Sequence, residues 1–332
     1  MDTIKNMNII ENLKEANLRG RGGAGFPTWQ KWQMVKDAVS PDGRKFVVCN
    51  VSEGEPAVSK DGYILEREPE VVISGIALAM EAVAAQKGFL YLRKDYYGKH
   101  KDKLAKIIGD KPIEIFCEPC GYLGGEETTL LESIEEKRCE PRIKPPFPPQ
   151  VGLFGCPTVI NNLETLYFAA KIANGEYKNT RFYSVSGDTA CPGAFECGDN
   201  LTVREVLEKT GNLPQAEFFV QAGGGASGTI LLDSDLDKPL TGAGSIVVHD
   251  LAKTDLRKLG LSWAEFFVKE NCGKCVPCRE GVFCLKEIFS QEPLDIARAQ
   301  DIVKLLAAAS FCPFGKGVAN SFGSLINKLM AK

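Results

Sequence analysis

The segments KFVVC at Lys45–Cys49, FLYL at Phe89–Leu92 and IEIF at Ile113–Phe116 decide the fold class of this chain. Each is a short run rich in apolar, aromatic or β-branched residues, which predicts a buried strand. Helical patterns separate them, at Pro69–Gln86 and at about Lys99–Ile108. Because strands that alternate with helices usually pair in parallel, the sequence predicts an α/β domain with helices on the faces of a parallel sheet.

The rest of this domain is predicted to be helix and loop. A polar helix over Asn8–Leu18 leads into a glycine-rich loop, and another helix covers Glu126–Glu136. The proline-rich stretch Pro141–Gly155 must be extended, and a helix is expected over Thr158–Asn174. The composition then changes, so the first domain is taken as residues 1–175.

Two further domains are predicted from the change in pattern. Residues 176–250 form a small α+β domain with one helix near Thr202–Thr210. Its strands are expected at Phe182–Ser186, Glu217–Gln221 and Ser245–His249. Residues 251–332 are helical. The helices expected there are Asp255–Glu270, Arg279–Phe289, Ile296–Ala309 and Ala319–Leu329.

Composition and charge exclude several classes of protein. The 332 residues are 44% hydrophobic and 25% charged, as in an ordinary globular protein, and a net charge of −3 without a basic tract argues against nucleic-acid binding. The longest apolar run, Val71–Ala85, contains Glu81 and is too short to span a bilayer, so no membrane insertion is expected. The opening MDTIKNMNII has no apolar signal core, which favours a cytoplasmic protein with reduced thiols.

Four cysteines near the carboxyl end form the most specific motif. The segment Asn271–Gly281, NCGKCVPCREG, holds Cys272, Cys275 and Cys278, and Cys312 follows in SFCPFG. Three closely spaced thiolates with a distant fourth, itself followed by proline, are typical of a 4Fe–4S cluster. The sequence therefore indicates an electron carrier.

Other interpretations of these cysteines stay open. Structural zinc more often uses paired C-x2-C hairpins or histidines, and the only histidines are His100 and His249. Plain buried thiols are less favoured, because Pro277 argues against core positions inside a helix. Cys284 is an alternative ligand, although it fits the apolar pattern of the following helix.

A glycine-rich loop precedes the first strand. GRGGAG at Gly20–Gly25 matches the letters of the dinucleotide fingerprint G-x-G-x-x-G. The context differs from a Rossmann fold, because a polar helix precedes the loop and the dipeptide FP follows it. Backbone without side chains still lets a phosphate or a flat ring approach, and Arg21 and Lys31 supply positive charge. A tight solvent loop is the alternative.

Two acidic segments are expected at the carboxyl ends of strands. VSEGEP covers Val51–Pro56, and GGEE covers Gly124–Glu127 at the start of a helix. Open α/β sheets bind ligands at that edge, where carboxylates accept hydrogen bonds from ribose hydroxyls and repel an added 2′-phosphate. Helix capping is the alternative for GGEE.

Taken together, these motifs resemble the NADH-binding flavoprotein subunit of respiratory complex I, whose core also occurs in soluble NAD-linked hydrogenases and formate dehydrogenases. The matching segments keep the family order from residue 18 to 313. They are RGRGGAGFPTWQKW, VCNVSEGEP, KDGYILE, GYLGGEETTLLESIE, PRIKPPFPP, GCPTVINNLET, ENCGKCVPCREG and SFCP.

The resemblance implies a fold and the residues that hold three cofactors. The fold is a parallel-sheet FMN- and NAD(H)-binding domain, a small ubiquitin-like β-grasp domain and a C-terminal helical 4Fe–4S domain. FMN contacts are implied for Gly20, Gly22, Gly23, Lys31, Asn50, Glu53, Tyr122, Gly125, Glu126, Asn161 and Asn162. NAD(H) contacts are implied for Phe26, Glu55, Glu127, Lys144 and Phe147. The implied ligands of the cluster are Cys272, Cys275, Cys278 and Cys312.

The implied function is that of an NADH-oxidising or NAD-reducing electron-transfer subunit of a larger oxidoreductase. Hydride passes from NADH to FMN, and single electrons then pass to the 4Fe–4S cluster and on to a partner. No catalytic acid or nucleophile is expected, because the redox chemistry belongs to the cofactors. The implied partners are a thioredoxin-like 2Fe–2S subunit and a further iron–sulfur or catalytic subunit, such as a hydrogenase or formate dehydrogenase, with ferredoxin as an additional candidate.

Several residues depart from the family pattern. Ser52 stands where an aspartate is usual, Gly54 for a serine, Trp29 for a glycine and Met34 for an aromatic residue. Ser52, Gly54 and Met34 motivate one alternative, an FMN and 4Fe–4S scaffold that no longer binds NAD(H). The flavin subunit of an electron-bifurcating complex, with ferredoxin as a second partner, is a separate alternative.

Cys117 and Cys120, in the segment CEPC, have no known role in the family. Buried or loop thiols are the simpler interpretation, and a metal or redox pair is the alternative.

Overall fold

A computed structural model describes residues 9–240 and 242–330. Within them the chain forms two compact units, the first with residues up to Gly54 and Lys60–Arg181, and the second with Glu55–Ser59 and residues from Phe182 onward. No helix in these ranges is long and apolar enough to cross a membrane. The predicted helix start at Asn8 lies outside the described residues. The division into three domains stays a prediction.

The first unit is built on a four-stranded parallel sheet, as the sequence predicts. Its order is β3-β2-β1-β4, and every neighbouring pair is parallel. On one face, Val48 and Tyr91 pack with Leu131 in a buried apolar cluster. The strands are β1 (Phe46–Val51), β2 (Lys87–Leu92), β3 (Ile113–Cys117) and β4 (Thr158–Asn162).

Helices connect these strands. Helix α4 begins with proline, whose missing N–H needs no partner in a first helical turn. The helices of the first unit are α1 (Ile9–Glu15), α2 (Thr28–Asp37), α3 (Lys60–Arg67), α4 (Pro69–Val83), α5 (Lys94–Ile108), α6 (Glu127–Ile134) and α7 (Leu163–Ala173).

The prediction of one helix over Thr158–Asn174 is wrong for its first five residues, which form β4 beside β1. The β-branched residues at its start suit a strand, and the side chain of Asn162 caps α7 by accepting a hydrogen bond from Glu164 N at 3.1 Å. Helices α2 and α3 were not predicted, and the glycines and proline before α2 indicated a loop.

Helices α4 and α7 approach closely at Gly75. A Cβ at Gly75 would lie 2.1 Å from the carbonyl oxygen of Leu166, so a larger residue must push the helices apart. We expect Gly75→Ala to lower the free energy of unfolding by about 1–3 kcal/mol, measured by chemical denaturation. Gly98→Ala on α5 is the matched control, because its Cβ would meet nothing within 4 Å and alanine favours a helix. Equal denaturation midpoints for the two variants would contradict this close packing.

The second unit contains a five-stranded mixed sheet of order β6-β5-β9-β7-β8. Its central strands β5 and β9 are parallel, and β7 pairs antiparallel with β8 and β9. Together with α8 between β6 and β7, this order is a β-grasp arrangement, which confirms the predicted fold. The elements are β5 (Thr180–Gly187), β6 (Gly193–Gly198), α8 (Val203–Lys209), β7 (Phe218–Ala222), β8 (Thr229–Leu231) and β9 (Ser245–Asp250).

The remaining residues of this unit are helical. Two predicted starts, Arg279 and Ala319, are too late, because α10 and α12 begin earlier with Pro277 and Pro313 in their first turns. A first turn tolerates proline, so the argument that Pro277 keeps the cysteines out of a helix is wrong. The helices are α9 (Leu256–Glu270), α10 (Val276–Ser290), α11 (Ile296–Ala309) and α12 (Pro313–Leu325).

Candidate functional site

The carboxyl edge of the parallel sheet brings three predicted asparagines together. Asn50 of β1 lies in register with Asn162 of β4, and Asn161 precedes it. Asn161 Oδ1 accepts a hydrogen bond from Trp32 Nε1 at 2.8 Å, and Asn50 Nδ2 donates to Gly125 O at 3.0 Å. These amides therefore fix α2 and the turn before α6 at the edge where α/β sheets bind ligands.

The glycine-rich loop lies against this edge and leads into α2. A Cβ at Gly22 would stand 3.1 Å from Asn162 Cβ, so the loop backbone and the end of β4 are in close contact. Gly23 has a φ of 113°, a conformation that favours glycine. Lys31 on α2 donates a hydrogen bond to the carbonyl of Ile160 at 2.9 Å. Three of the predicted flavin contacts thus meet the asparagines at one place.

Arg21 does not have the role that its charge suggests. It is only 4% exposed, its Nη2 donates to the Tyr177 hydroxyl at 3.2 Å, and its guanidinium lies 5.8 Å from the ring centre of Phe168. The expectation that Arg21 offers its charge to a phosphate is wrong, because the guanidinium packs inside the protein. Lys31 remains as a cation beside the loop.

A tight turn at Gly121–Gly125 carries Tyr122 to the end of β1. A Cβ at Gly125 would lie 3.2 Å from the carbonyl of Ser52, and one at Gly54 would lie 2.8 Å from Tyr122 Cα. The serine that is usual in place of Gly54 has no room unless this turn moves. Close backbone approach of several segments leaves an edge poor in side chains, which fits a flat ring such as that of FMN.

Four charged side chains gather at the start of α6. Lys144 Nζ lies 2.8 Å from Glu126 Oε1 and 3.0 Å from Glu127 Oε1, and Lys31 Nζ lies 3.8 Å from Glu127 Oε2. Burial would lower the pKa of Lys144, but hydrogen bonds and charges from Glu126 and Glu127 raise it above its usual value. Burial lowers the pKa of Lys31. The two basic side chains therefore lie beside two carboxylates here.

Glu126 also caps α6. Its carboxylate accepts hydrogen bonds from Thr128 N at 2.9 Å and Thr129 N at 2.8 Å. Burial would raise its pKa, but the hydrogen bonds from Lys144 and Thr128 lower it below the usual value. Helix capping, the alternative for GGEE, thus holds for Glu126, and its contact with FMN stays a prediction.

A buried ion network beside Asn162 was not predicted. Lys60 Nζ lies 2.6 Å from Asp61 Oδ1 and 2.9 Å from Glu164 Oε2, and Asn162 Nδ2 donates to Asp61 Oδ2 at 2.5 Å. Burial would lower the pKa of Lys60, but the charges of Asp61 and Glu164 raise it, so Lys60 stays protonated. The sequence signal for this network was the charged pair at the start of KDGYILE. That segment resembled the family, but the resemblance assigned no role to the pair.

Glu53 supports the same region. It is 7% exposed, and its carboxylate accepts hydrogen bonds from Asp61 N at 2.9 Å, Gly62 N at 3.2 Å and the Tyr96 hydroxyl at 2.7 Å. These bonds satisfy amides at the start of α3. Its contact with FMN stays a prediction.

The predicted nucleotide contacts differ in their surroundings. The aromatic side chains of Phe26 and Phe147 are 41% and 47% exposed, so ring faces are available for stacking. Glu55 belongs to the second unit, where its carboxylate accepts hydrogen bonds from Ala226 N at 3.0 Å and Ser227 N at 3.3 Å. The structure brings Glu127 and Lys144 together and binds Glu55 to a loop of the second unit.

The four cysteines predicted as cluster ligands lie at the starts of helices or just before them. Cys275 directly precedes α10, Cys312 directly precedes α12, and Cys278 lies in the first turn of α10. Cys272 lies in the preceding loop. The amino ends of helices carry partial positive charge, which stabilises thiolates and an anionic cluster.

The four thiols act on one another electrostatically. Burial raises the pKa of Cys278, the most buried of them, and the nearby Cys275, Cys312 and Cys272 add to this rise, which together brings the pKa to about 12. Asn271 Nδ2 donates a hydrogen bond to Cys278 Sγ at 3.1 Å, which partly opposes this. The four residues that the spacing predicts as cluster ligands are thus neighbours in the fold, and their binding of the cluster stays a prediction.

The donor chemistry of these side chains fits a 4Fe–4S cluster. Such a core is held by cysteine thiolates, and all four predicted ligands are cysteines. Structural zinc often adds histidine to its thiolates. Four thiols in the predicted spacing therefore fit the cluster.

A disulfide joins Cys120 to Cys139, with a Cα–Cα distance of 5.7 Å. Cys117 is a free, half-buried thiol, so the two cysteines of CEPC do not pair with each other. The expectation of reduced thiols throughout is wrong for Cys120 and Cys139. Their bond closes the segment that contains the turn Gly121–Gly125 and α6.

Two family models match the chain. The Nuo51 FMN-binding domain matches residues 13–171, which include the sheet edge described above. The NADH-ubiquinone oxidoreductase-F iron–sulfur binding region matches residues 258–332, which include the four cysteines.

Relatives of known name are similar over most of the chain. The chain is 33% identical to the F 2 subunit of the NADH-quinone oxidoreductase of Rhizobium meliloti (strain 1021), over 98% of this chain and 87% of that protein. It is 35% identical to the F subunit of the NADH-quinone oxidoreductase of Aquifex aeolicus, over 86% and 75%. It is also 35% identical to the alpha subunit of the NAD-reducing hydrogenase HoxS of Cupriavidus necator, over 84% and 51%.

A solved structure has the same fold. A chain of an NAD⁺-reducing NiFe hydrogenase in the H₂-reduced state matches with a TM-score of 0.88 and 32% identity. The match covers 98% of this chain and 62% of that chain, so this chain spans less than two thirds of the hydrogenase chain.

The fold and the two cofactor regions define an oxidoreductase subunit that holds FMN and a 4Fe–4S cluster. The chain belongs to the family of the NADH-quinone oxidoreductase F subunits. It therefore transfers electrons between NAD(H), FMN and the 4Fe–4S cluster as one subunit of a multisubunit complex.

Proposed function

We propose that this chain is the nucleotide-oxidising entry point of its complex, and that the residues identified from the sequence hold its cofactors. The glycine loop, the asparagines of β1 and β4 and the Gly121–Gly125 turn would hold FMN. Phe26, Glu55, Glu127, Lys144 and Phe147 would hold NAD(H). The meeting of loop, asparagines and turn at one sheet edge carries this proposal.

In this proposal the protein positions and shields the reacting groups. When bound, FMN accepts a hydride and passes electrons on singly, which is chemistry that no side chain supplies. The exposed rings of Phe26 and Phe147 stack on the nucleotide, and Lys144 and Glu127 orient its polar groups. Cys272, Cys275, Cys278 and Cys312 would hold the cluster, which would supply one-electron redox chemistry beside the flavin.

The partner subunits are proposed from the same family. A single cluster cannot end an electron route, so we infer that a thioredoxin-like 2Fe–2S subunit docks on this chain. A hydrogenase, formate dehydrogenase or similar catalytic subunit would complete the complex, in a cytoplasmic setting. Similarity to both quinone-linked and hydrogenase relatives supports this class of partner without selecting one.

Anaerobic mixing with nucleotide tests the function. NADH is expected to bleach the flavin absorbance and then to produce the EPR signal of a reduced cluster, and acid treatment should release FMN. The scaffold alternative, motivated by Ser52, Gly54 and Met34, predicts no bleaching by NADH. Release of FAD, or an unchanged flavin spectrum in cluster-loaded protein, would contradict the proposal.

The choice between NADH and NADPH tests the nucleotide site. We expect NADH to be preferred by about tenfold in kcat/KM, about 1.4 kcal/mol. The preference is modest because Lys31 and Lys144 balance much of the charge that Glu126 and Glu127 would direct at a 2′-phosphate.

Two variants should shift this preference in opposite directions. Glu127→Gln leaves an excess of positive charge and should relax the preference, whereas Lys144→Gln leaves Glu126 and Glu127 with only Lys31 nearby and should strengthen it. The ratio of kcat/KM values, measured with a viologen dye as acceptor, cancels any loss of affinity common to both nucleotides. Shifts in the same direction in both variants would refute the electrostatic argument.

A further inference from the structure

The hydroxyl of Ser310 is buried beside the cluster cysteines without a partner among the described residues. Ser310 follows α11 and precedes Cys312 by two residues. It is 7% exposed, and its Oγ makes no hydrogen bond within residues 9–240 and 242–330. Burying a hydroxyl without a partner is unfavourable, so a buried hydroxyl in this state calls for a water, an ion or a ligand atom that it meets.

The surroundings of Ser310 place this hydroxyl close to a cluster ligand. A Cβ at Gly315, in the first turn of α12, would lie 2.2 Å from Ser310 Oγ and 3.4 Å from Cys278 Sγ. Both atoms therefore border the same small volume, and glycine keeps that volume free of a side chain. The hydroxyl and the thiol are thus oriented toward one region.

Another buried serine of the same region differs in this respect. Ser321 on α12 is fully buried, but its Oγ donates to the carbonyl of Val318 at 3.2 Å. Serines inside helices commonly satisfy their hydroxyl in this way. The Oγ of Ser310 makes no such hydrogen bond among the described residues. Only its backbone takes part in the end of the helix, where Ser310 N donates to Leu306 O at 3.2 Å.

We infer that Ser310 donates a hydrogen bond to a sulfur of the 4Fe–4S cluster, either Cys278 Sγ or a bridging sulfide, and thereby raises its reduction potential. This inference rests on the proposed cluster ligands. The reduced cluster carries one more negative charge than the oxidised cluster, so a donor to its sulfur stabilises the reduced state more. Ser310 is a positioning residue in this role, since it need not contact the flavin or the nucleotide.

A potentiometric titration followed by EPR tests the inference on the anaerobically purified protein. Ser310→Ala should keep the iron content but lower the midpoint potential, with about a tenfold smaller equilibrium constant for reduction, which is ~59 mV for one electron. Ser310→Thr, which keeps the hydroxyl, should stay close to the native potential. Ser321→Ala is the control and should leave the potential unchanged.

A second pair of variants keeps the test decisive if the alanine variant fails to assemble. Threonine and valine have similar shapes and differ by the hydroxyl, so Ser310→Val should have a lower potential than Ser310→Thr. Equal potentials in this pair, or an equal shift in Ser321→Ala, would overturn the inference while leaving the cluster assignment intact. Zinc in place of iron in the native protein would instead remove the proposed cluster ligands and the inference with them.

Discussion

Replacement of Cys275 by alanine is expected to abolish the EPR signal of the reduced cluster while FMN stays bound. Cys275 directly precedes α10, so its thiolate is held at the positive end of that helix. Without it one iron of the cluster loses its protein ligand, and a 4Fe–4S core depends on cysteine thiolates. The flavin region lies in the first compact unit and the cysteine in the second, so flavin binding should survive.

The measurement is iron, sulfide and flavin content per chain, together with the EPR spectrum after reduction. The native protein should hold about four irons, and the variant should hold few or none. Cys191→Ala is a suitable control, because Cys191 is a free, exposed thiol of the same unit. Retention of a full cluster in Cys275→Ala would contradict this expectation and point to Cys284 as a substitute ligand. In that case the variant that lacks both Cys275 and Cys284 should lose the cluster.

Replacement of Lys60 by methionine is expected to destabilise the first unit by about 3–5 kcal/mol. Lys60 is 2% exposed and lies between the carboxylates of Asp61 and Glu164, both buried. Without the ammonium group the two carboxylates lose the cation that they share and repel each other in a poorly solvated interior. The thermal midpoint should fall by roughly 10 °C.

Two comparisons separate this effect from an ordinary loss of charge. Lys87→Met removes an exposed ion pair with Glu114, at 2.5 Å, and should cost no more than about 1 kcal/mol. Adding Glu164→Gln to Lys60→Met should restore part of the stability, because it removes one of the unbalanced charges. A Lys60→Met protein as stable as Lys87→Met would show that the buried network is not needed for folding.

The stability that is lost in Lys60→Met should also depend on pH. Burial raises the pKa of Asp61 above its usual value even with Lys60 present, and removing the ammonium group raises it further. A carboxyl whose pKa is higher in the folded state binds its proton more readily there, so the folded state gains relative stability as pH falls. The difference between variant and native protein should therefore shrink in mild acid.

Much of the fold could be predicted from local patterns. The strands β1, β2 and β3 are short apolar runs bounded by helical patterns, and α11 has the predicted bounds. Secondary structure was predicted less well where the same sequence pattern fits both a strand and a helix. The residues of β4 directly precede a helical pattern and were included in it, and pairing with β1 selects the strand.

The site was predicted unevenly for a physical reason. The cysteine motif is local, since three ligands lie within seven residues, so spacing alone identifies it. Arg21 shows the opposite case, because its charge suggests a phosphate contact whereas its packing against Phe168 and Tyr177 buries it. Charge can be read from the sequence, but the direction of a side chain cannot.

The sequence by itself determined the parallel-sheet domain and the class of cofactors, and it predicts the four cysteine ligands, because these depend on periodicity, spacing and ordered motifs. Only the tertiary structure decided which charges meet, such as Lys60 with Glu164 and Lys144 with Glu127. It also decided that Cys120 bonds to Cys139 and that Ser310 lies near Cys278. These pairs are distant in the chain, and folding brings them together through the packing of whole helices and strands, which no local pattern records.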